Sequence, residues 1–459
     1  MSKHLTSEDI QKTVLESQDD LARMLRAVAH EKRLQLLALV VEGKQEFAGL
    51  LKATGLSKTA LANHLGQLID SGLIERLERG SYKLTADGRG LLESLVGTYK
   101  ESQVRERAVR KRLLESYSRG YDVGGGVKMD SYGIDKKAEY EPAWISYVAA
   151  ISGVLKSLDV ECDATDVAGY SGYAFIVNVS KGMTCPSGPT ALHVWDEIHE
   201  GTQVFGWSVN SISEDVSYPR QETVTAEDLE RVRKHFELVK NGLVRTKRPV
   251  VIWGIPVPEY GIVNGYSGDS YEVSTFRRLS DEPDAPIRYD ALQAPGCLEA
   301  IFFEQEKPVS DVVQRDLEAV ERAAQMAEGA QALKGYTSGP DAYEEWAAVL
   351  EGSPDQVNYH GNSYVGACVC EGKAFAVEFL RRMAVRHKER PQGEPLGIAA
   401  KEYEQAQQLM EEFVAVFPFA MGGELPGEKL AKGAAILRKV RPHETEALGS
   451  LRKAVEVWE

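Results

Sequence analysis

Residues 24–43 read MLRAVAHEKRLQLLALVVEG and residues 46–54 read EFAGLLKAT; then come the turn Gly55-Leu56-Ser57, residues 58–71 (KTALANHLGQLIDS) and residues 72–85 (GLIERLERGSYKLT). Apolar residues recurring three and four positions apart predict two helical runs in the first stretch and a short third helix in the second. Ser57 is placed to cap the next helix, its hydroxyl accepting from a first-turn amide as Lys58 begins the helix. Leu61, Leu65, Leu68 and Ile69 fall on one side and predict the core face. Lys58, Thr59, Asn63, His64 and Gln67 are left for the other side. The last segment predicts a hairpin with its tip at Arg79-Gly80-Ser81, where glycine supplies the turn. Helix, turn, helix and hairpin in this order predict a winged helix-turn-helix, an element that lays one helix in a DNA major groove.

The exposed residue types suit that task. Asn and Gln pair bidentately with adenine, whereas Lys and Thr suit guanine or phosphate. Arg79 and Lys83 on the wing suit phosphate or the minor groove. Ser57, Lys58, Thr59, Asn63, His64, Gln67, Arg79 and Lys83 are therefore the candidate DNA contacts. The alternative is a winged helix used for protein contacts alone. The segments AHEKRLQLLALVVEG, GLSKTALANHL and GLIERLERGSYKLT resemble, in order and spacing, the ArsR family of bacterial winged-helix repressors. Metal-sensing members of that family carry cysteines in the helix before the turn. Here that helix is EFAGLLKAT, without Cys or His, so no metal site is expected there.

A net charge of −15 argues against nonspecific coating of nucleic acid, because an acidic surface repels the duplex, so DNA contacts must come from a local basic face. Arg76 joins Lys58, Arg79 and Lys83 there, and Arg105, Arg107, Arg110, Lys111 and Arg112 follow as a second basic run that reads as a solvated helix face. Five cysteines, few and odd in number, suit reduced thiols. The N-terminus MSKHLTSEDIQKT is polar and no apolar run is long enough to span a bilayer, which predicts a cytoplasmic protein without membrane contact.

Residues 87–117 carry apolar positions at helical spacing and predict a long amphipathic connector, a natural seam for a homodimer. Two-fold symmetry then implies a palindromic operator in double-stranded DNA. Packing of the same stripe on the chain's own next domain is the alternative. Gly120 to Gly126 breaks this helix and predicts a hinge.

From Tyr140 the pattern alternates. WISYVAAISGVLKSLDV predicts a buried helix, YAFIVNV a strand and LERVRKHFELVKNGL an amphipathic helix. RPVVIWGIPVP and YGIVNGYSGDSYEVSTF predict successive strands. Helix first and sheet later is an α+β arrangement. Residues 140–275 resemble the papain-like fold of bacteriocin-processing cysteine peptidases, and more closely the relatives of butirosin-biosynthesis protein H. In active members a cysteine opens the first helix and a histidine begins a strand. Here Trp144, Ile145 and Ser146 stand at the first location and Glu259 and Tyr260 at the second. The resemblance therefore implies a domain without the catalytic dyad, and so no enzyme and no catalytic residues. Such a fold keeps its cleft. Tyr170, Tyr173, Trp253, Glu259, Tyr260, Asn264 and Tyr266 are candidate ligand contacts, apolar rings beside a few polar groups. Glu259 stands out, since a carboxylate beside an apolar run is costly to bury without an internal arginine or a cationic ligand.

Ala- and Glu-rich helical segments separated by Gly/Pro runs fill the C-terminal third and predict a helical cap, to which Asn362 and Tyr364 contribute further ligand contacts. The domains expected are 1–98 (winged helix), 99–126 (connector and hinge), 127–305 (papain-like) and 306–459 (helical cap). The function expected is transcription regulation by a homodimer answering a small-molecule effector, with no cofactor or metal. Two alternatives remain: an acyltransferase or amidohydrolase using Cys185, with His193 near in sequence, and a thiol or metal sensor using Cys368 and Cys370. Two residues apart on a helix points them to different sides, whereas a strand or turn would let them share a metal.

Overall fold

The computed structural model describes residues 7–41, 43–77, 80–100, 131–219, 224–280, 283–329, 332–352, 356–419 and 427–458. The chain divides into two compact units, Met1–Arg112 and Leu113–Glu459. Arg79, the second basic run and the Gly120–Gly126 segment lie outside the described residues. Among the described residues, no helix is long and apolar enough to cross a membrane.

The first unit runs α1 (Ser7–Glu16), α2 (Gln18–Val28), α3 (Glu31–Leu39), β1 (Gln45–Glu46), α4 (Phe47–Thr54), α5 (Lys58–Asp70), β2 (Ile74–Arg76), β3 (Ser81–Leu84) and α6 (Ala86–Lys100). Helices α3, α4 and α5 enclose a core of Leu36, Leu37, Leu50, Leu61, Leu65 and Leu68, onto which Tyr82 and Leu84 of the hairpin close. Strands β2 and β3 pair from Ile74↔Leu84 to Arg76↔Tyr82, and β1 pairs with the other edge of β3. Gly55, with φ of 65°, ends α4 in the left-handed conformation that turns the chain toward α5.

Helix α6 is clamped to the base of the hairpin. The Thr85 hydroxyl donates to the Gly72 carbonyl at 2.7 Å and accepts from the Gly88 amide at 3.0 Å. A side chain at position 88 would place its Cβ 2.1 Å from the Leu73 carbonyl oxygen, so only glycine permits this approach.

The second unit contains β4 (Ser131–Gly133), α7 (Ser146–Ser157), α8 (Ala164–Tyr170), β5 (Asn178–Ser180), α9 (Trp195–Thr202), β6 (Trp207–Glu214), α10 (Ala226–Thr246), β7 (Val250–Trp253), β8 (Tyr260–Ser267), β9 (Ser270–Ser274), β10 (Ile287–Arg288) and β11 (Leu298–Glu306). Then follow α11 (Val312–Glu328), β12 (Tyr336–Ser338), α12 (Pro340–Glu351), α13 (Tyr359–Arg386), α14 (Gly393–Val416) and α15 (Gly427–Glu456). Seven strands form an antiparallel sheet in the order β10-β9-β8-β7-β11-β6, with β4 continuing the β7 side of β8. Helix and sheet are thus mixed, as the α+β expectation has it.

Strand alternation sends the sheet's residues to two sides. On one side Phe302 of β11 packs so tightly on α10 that a Cβ at Gly242 would lie 2.1 Å from its ring. On the other, Glu299 meets His199 of α9 at 3.3 Å. A core of buried residues runs from Ile134 through the sheet to Leu451 and Ala454 of α15, and a second core joins Val177 and Val179 to helices α12 to α15.

One local expectation needs correction. YAFIVNV is a strand only from Asn178; Tyr173–Phe175 form a single helical turn after Gly172, whose φ is 82°. Aromatic and β-branched residues that are buried on all sides give no period to tell the two apart. Gly361–Tyr364 lie in the first turns of α13, and Cys368 and Cys370 sit on the same helix. Helix α15 runs through Pro442.

Candidate functional site

The first candidate site is the outer face of α5. Ser57 caps the helix, its Oγ accepting from the Ala60 amide at 3.2 Å. Burial of Leu61, Leu65 and Leu68 turns Ser57, Lys58, Thr59, Asn63 and Gln67 outward, and all five are exposed. Lys83 is exposed on β3, opposite Glu75. His64 differs: it is half-buried, with its ring 4.6 Å from that of His30. Burial, His30 and the Arg33 guanidinium all push its imidazole below the ordinary value. It stands at the edge of this face, neutral at physiological pH. Gln67 is held by Arg33 of α3, whose guanidinium donates to Oε1.

The second candidate site lies at the start of α7. The Tyr260 amide donates to Ser146 Oγ at 3.1 Å, so the opening of α7 meets the opening of β8. Tyr364 of α13 donates to Glu259 Oε1 at 2.5 Å, Ser146 lies beside the carboxylate, and the buried Oε2 has no hydrogen-bond partner among the described residues. Glu371, also on α13, accepts from the Trp144 and Ile145 amides at 2.9 and 2.8 Å. It thereby satisfies the amide of the N-cap residue and of the residue before it, near the positive end of the helix dipole. Cys368 Sγ lies 3.9 Å from the Trp144 carbonyl oxygen. A cavity of about 20 Å³ opens beside these residues, lined among others by Ile145, Tyr173, Asn178 and Cys368. It has room for a water or two.

Burial pushes the carboxyls of both Glu259 and Glu371 from 4.5 up to about 7. Between these values the folded chain holds more protons than the unfolded chain, so stability falls as pH rises through that window. Glu259→Gln removes one such group. The variant is expected to lose on the order of 2–3 kcal/mol of this pH dependence, read as a smaller difference in Tm between pH 5 and pH 8.

The other ligand candidates have separate partners. Tyr170 donates to Asp316 at 2.7 Å, in a cluster completed by Arg386 and His387. Trp253 Nε1 donates to the Pro295 carbonyl at 3.0 Å. Asn264 ties β8 to the segment before α7, accepting from the Ala138 amide at 2.8 Å and donating to its carbonyl at 2.9 Å. The pairing of β8 with β9 shifts register between Val263 and Gly265, and Tyr266 lies on the α10 side, under Lys240 and beside Phe236. Asn362 Oδ1 accepts from Trp346 Nε1 at 2.7 Å. Of the ligand candidates, Tyr173, Glu259 and Tyr364 gather at the α7 start, with the backbone of Tyr260.

Sequence reading missed a buried network behind them. Tyr147 meets His199 Nδ1 at 3.0 Å, and the Tyr260 hydroxyl donates to Glu299 at 2.6 Å. Burial raises the Glu299 carboxyl, but bonds from His199, Ser211 and Tyr260 hold it below the ordinary value. A carboxylate in a strand as apolar as LEAIFFEQE was the available signal.

The cysteines fall apart from one another. Cys185 Sγ meets Ser187 Oγ at 2.8 Å, while His193 is exposed. Cys368 belongs to the sheet-side core and Cys370 packs against the helical one. Burial raises both thiols, Cys370 to about 11. Among the described residues, no group of three or more His, Cys, Asp or Glu is placed to hold a metal.

Residues 30–76 match the family described as bacterial regulatory protein, arsR family. The chain is 31% identical over 85 residues to the biofilm growth-associated repressor of Xylella fastidiosa, an alignment covering 18% of this chain and 71% of the relative. It is 29% identical over 94 residues to the HTH-type transcriptional regulator Rv0324 of Mycobacterium tuberculosis, covering 20% of this chain and 42% of that one. Against the HTH-type transcriptional regulator YgaV of Escherichia coli the identity is 38% over 60 residues, 13% of this chain and 61% of the relative. The matched family segment runs from the start of α3 to the end of β2, the stretch that builds the exposed face of α5, and through it the chain belongs to the arsR family of bacterial regulatory proteins.

Proposed function

We propose that the protein is a DNA-binding transcriptional regulator that answers a small-molecule effector. One observation carries the DNA-binding part: α5 is capped and buried on its leucine side, and it turns Lys58, Thr59, Asn63 and Gln67 outward within a family whose members here are named repressors and transcriptional regulators. The chain acts as a homodimer on a palindromic operator, and Lys58 contacts phosphate. Sequence selection from a random DNA pool, followed by salt titration of the enriched site, tests this. Lys58→Ala is expected to weaken binding to all sequences alike and to reduce the slope of log K against log salt by about 0.9. An unchanged slope would remove Lys58 from the phosphate contacts.

In the same proposal, residues 127–305 are a papain-like domain without its catalytic dyad, and residues 306–459 cap it. The contact between Ser146, at the helix start, and Tyr260, at the strand start, supports this reading, since those are the two locations where the peptidases carry cysteine and histidine. Glu259, paired with the neutral Tyr364 rather than with a cation, is the group that recognises the effector, together with Tyr173. A cavity of about 20 Å³ is far below the several hundred that a metabolite needs, so binding requires the side chains around Tyr364 to move. The ligand favours one state of the protein over another by its differential affinity. Native mass spectrometry of the chain from its host, with Glu259→Gln alongside, tests the site: a retained small molecule lost in the variant is the expected result, and retention in both places the site elsewhere.

A further inference from the structure

We infer that Arg33, a residue outside the reading helix, sets which base Gln67 reads. The inference rests on the DNA-binding reading of α5. Gln67 is exposed, and its unconstrained side chain offers one acceptor and two donors; bidentate pairing with adenine uses both kinds, accepting from N6 and donating to N7. In this fold the Arg33 guanidinium donates to Gln67 Oε1. A guanidinium has donors only, so the atom facing it is the carbonyl oxygen and the orientation of the amide is fixed.

Arg33 is itself anchored. It is half-buried on α3, and a second nitrogen donates to the Arg26 carbonyl at 2.8 Å, near the end of α2. The Gln67 carbonyl is therefore drawn back toward the scaffold, and the amide turns its NH2 outward beside a fixed positive charge. What this pair presents to a base is donors and positive charge. Guanine, with acceptors at both N7 and O6 on the major-groove edge, matches it; adenine brings an amino group toward a donor. Arg33 is thus a positioning residue, acting on sequence preference through Gln67.

The experiment compares the DNA sequences enriched from a random duplex pool by the full chain and by Arg33→Ala, Arg33→Lys and Gln67→Ala. Gln67→Ala identifies the base position concerned by flattening its preference. At that position the unaltered chain is expected to prefer guanine, and Arg33→Ala to shift toward adenine by about tenfold in relative affinity, the scale of one bidentate contact. Arg33→Lys, which keeps a donor-only cation, is expected to retain guanine. A merely structural role for Arg33 would lower affinity for every sequence and leave the preference alone. Identical preferences in the unaltered chain and Arg33→Ala, or no position flattened by Gln67→Ala, would overturn the inference. Failure of the unaltered chain to enrich any sequence would overturn the DNA-binding reading itself.

Discussion

Leu61→Ala is expected to lower the unfolding free energy of the N-terminal unit by about 2–5 kcal/mol, the range for emptying a buried leucine site. Leu61 is fully buried in α5, among Leu36, Leu37, Leu65 and Leu68, directly beneath the exposed face that carries Lys58 and Asn63. A unit of this size has a small core and a stability of the same order as the loss. The variant should therefore lose DNA binding for every sequence at the growth temperature, where Lys58→Ala is expected to lose only the one phosphate contact proposed for it. Calorimetry checks this: the transition belonging to residues 7–100 moves down while that of the larger unit stays. A shift of the larger unit's transition by the same amount would show that the two do not melt independently and would contradict the prediction.

Glu444→Leu is expected to destabilise the larger unit by about 3–5 kcal/mol, because it leaves a buried ammonium without its counter-charge. Lys373 Nζ lies 2.5 Å from Glu444 Oε1, and the two side chains are 0% and 2% exposed. Tyr343 donates to the same carboxylate oxygen at 2.8 Å, and the ammonium also sits 4.9 Å over the Tyr403 ring. Four helices, α12 to α15, thus meet at one charge pair. Taking both charges away relieves the penalty, so Lys373→Met combined with Glu444→Leu should recover most of the loss. Urea unfolding of the single and double variants decides it; a double variant as unstable as the sum of the two singles would mean that packing, not charge, dominates there.

The N-terminal unit was legible because its information is local. Ser57 beside Lys58 announces a cap, and leucines at helical spacing announce a face, within a span of thirteen residues that the chain folds on itself. The meeting of the α7 and β8 starts was half legible. The resemblance pointed to Ser146 and Glu259, but their neighbours Tyr364 and Glu371 come from α13, more than a hundred residues away, and no periodicity reports such a pairing. Tyr266 shows a different limit. Strict alternation along β8 puts it with Tyr260, and the register shift beside Asn264 breaks that alternation, as one unpaired residue must. Tyr173–Phe175 failed for the opposite reason: surrounded by protein, these apolar residues carry no polar side from which to read a period.

The clamp at Thr85 and Gly88 has a mechanical consequence. With Thr85, the residue before α6, bonded to Gly72 and Leu73, and with glycine at position 88 against the Leu73 carbonyl, the start of α6 is held at the foot of the wing. The helix is a rigid lever welded to the hairpin, which itself closes the core beneath α5. A twist of α6 is therefore expected to carry into the hairpin and the core beneath α5, and bulk added at position 88 is expected to loosen that joint without altering any outward residue of α5.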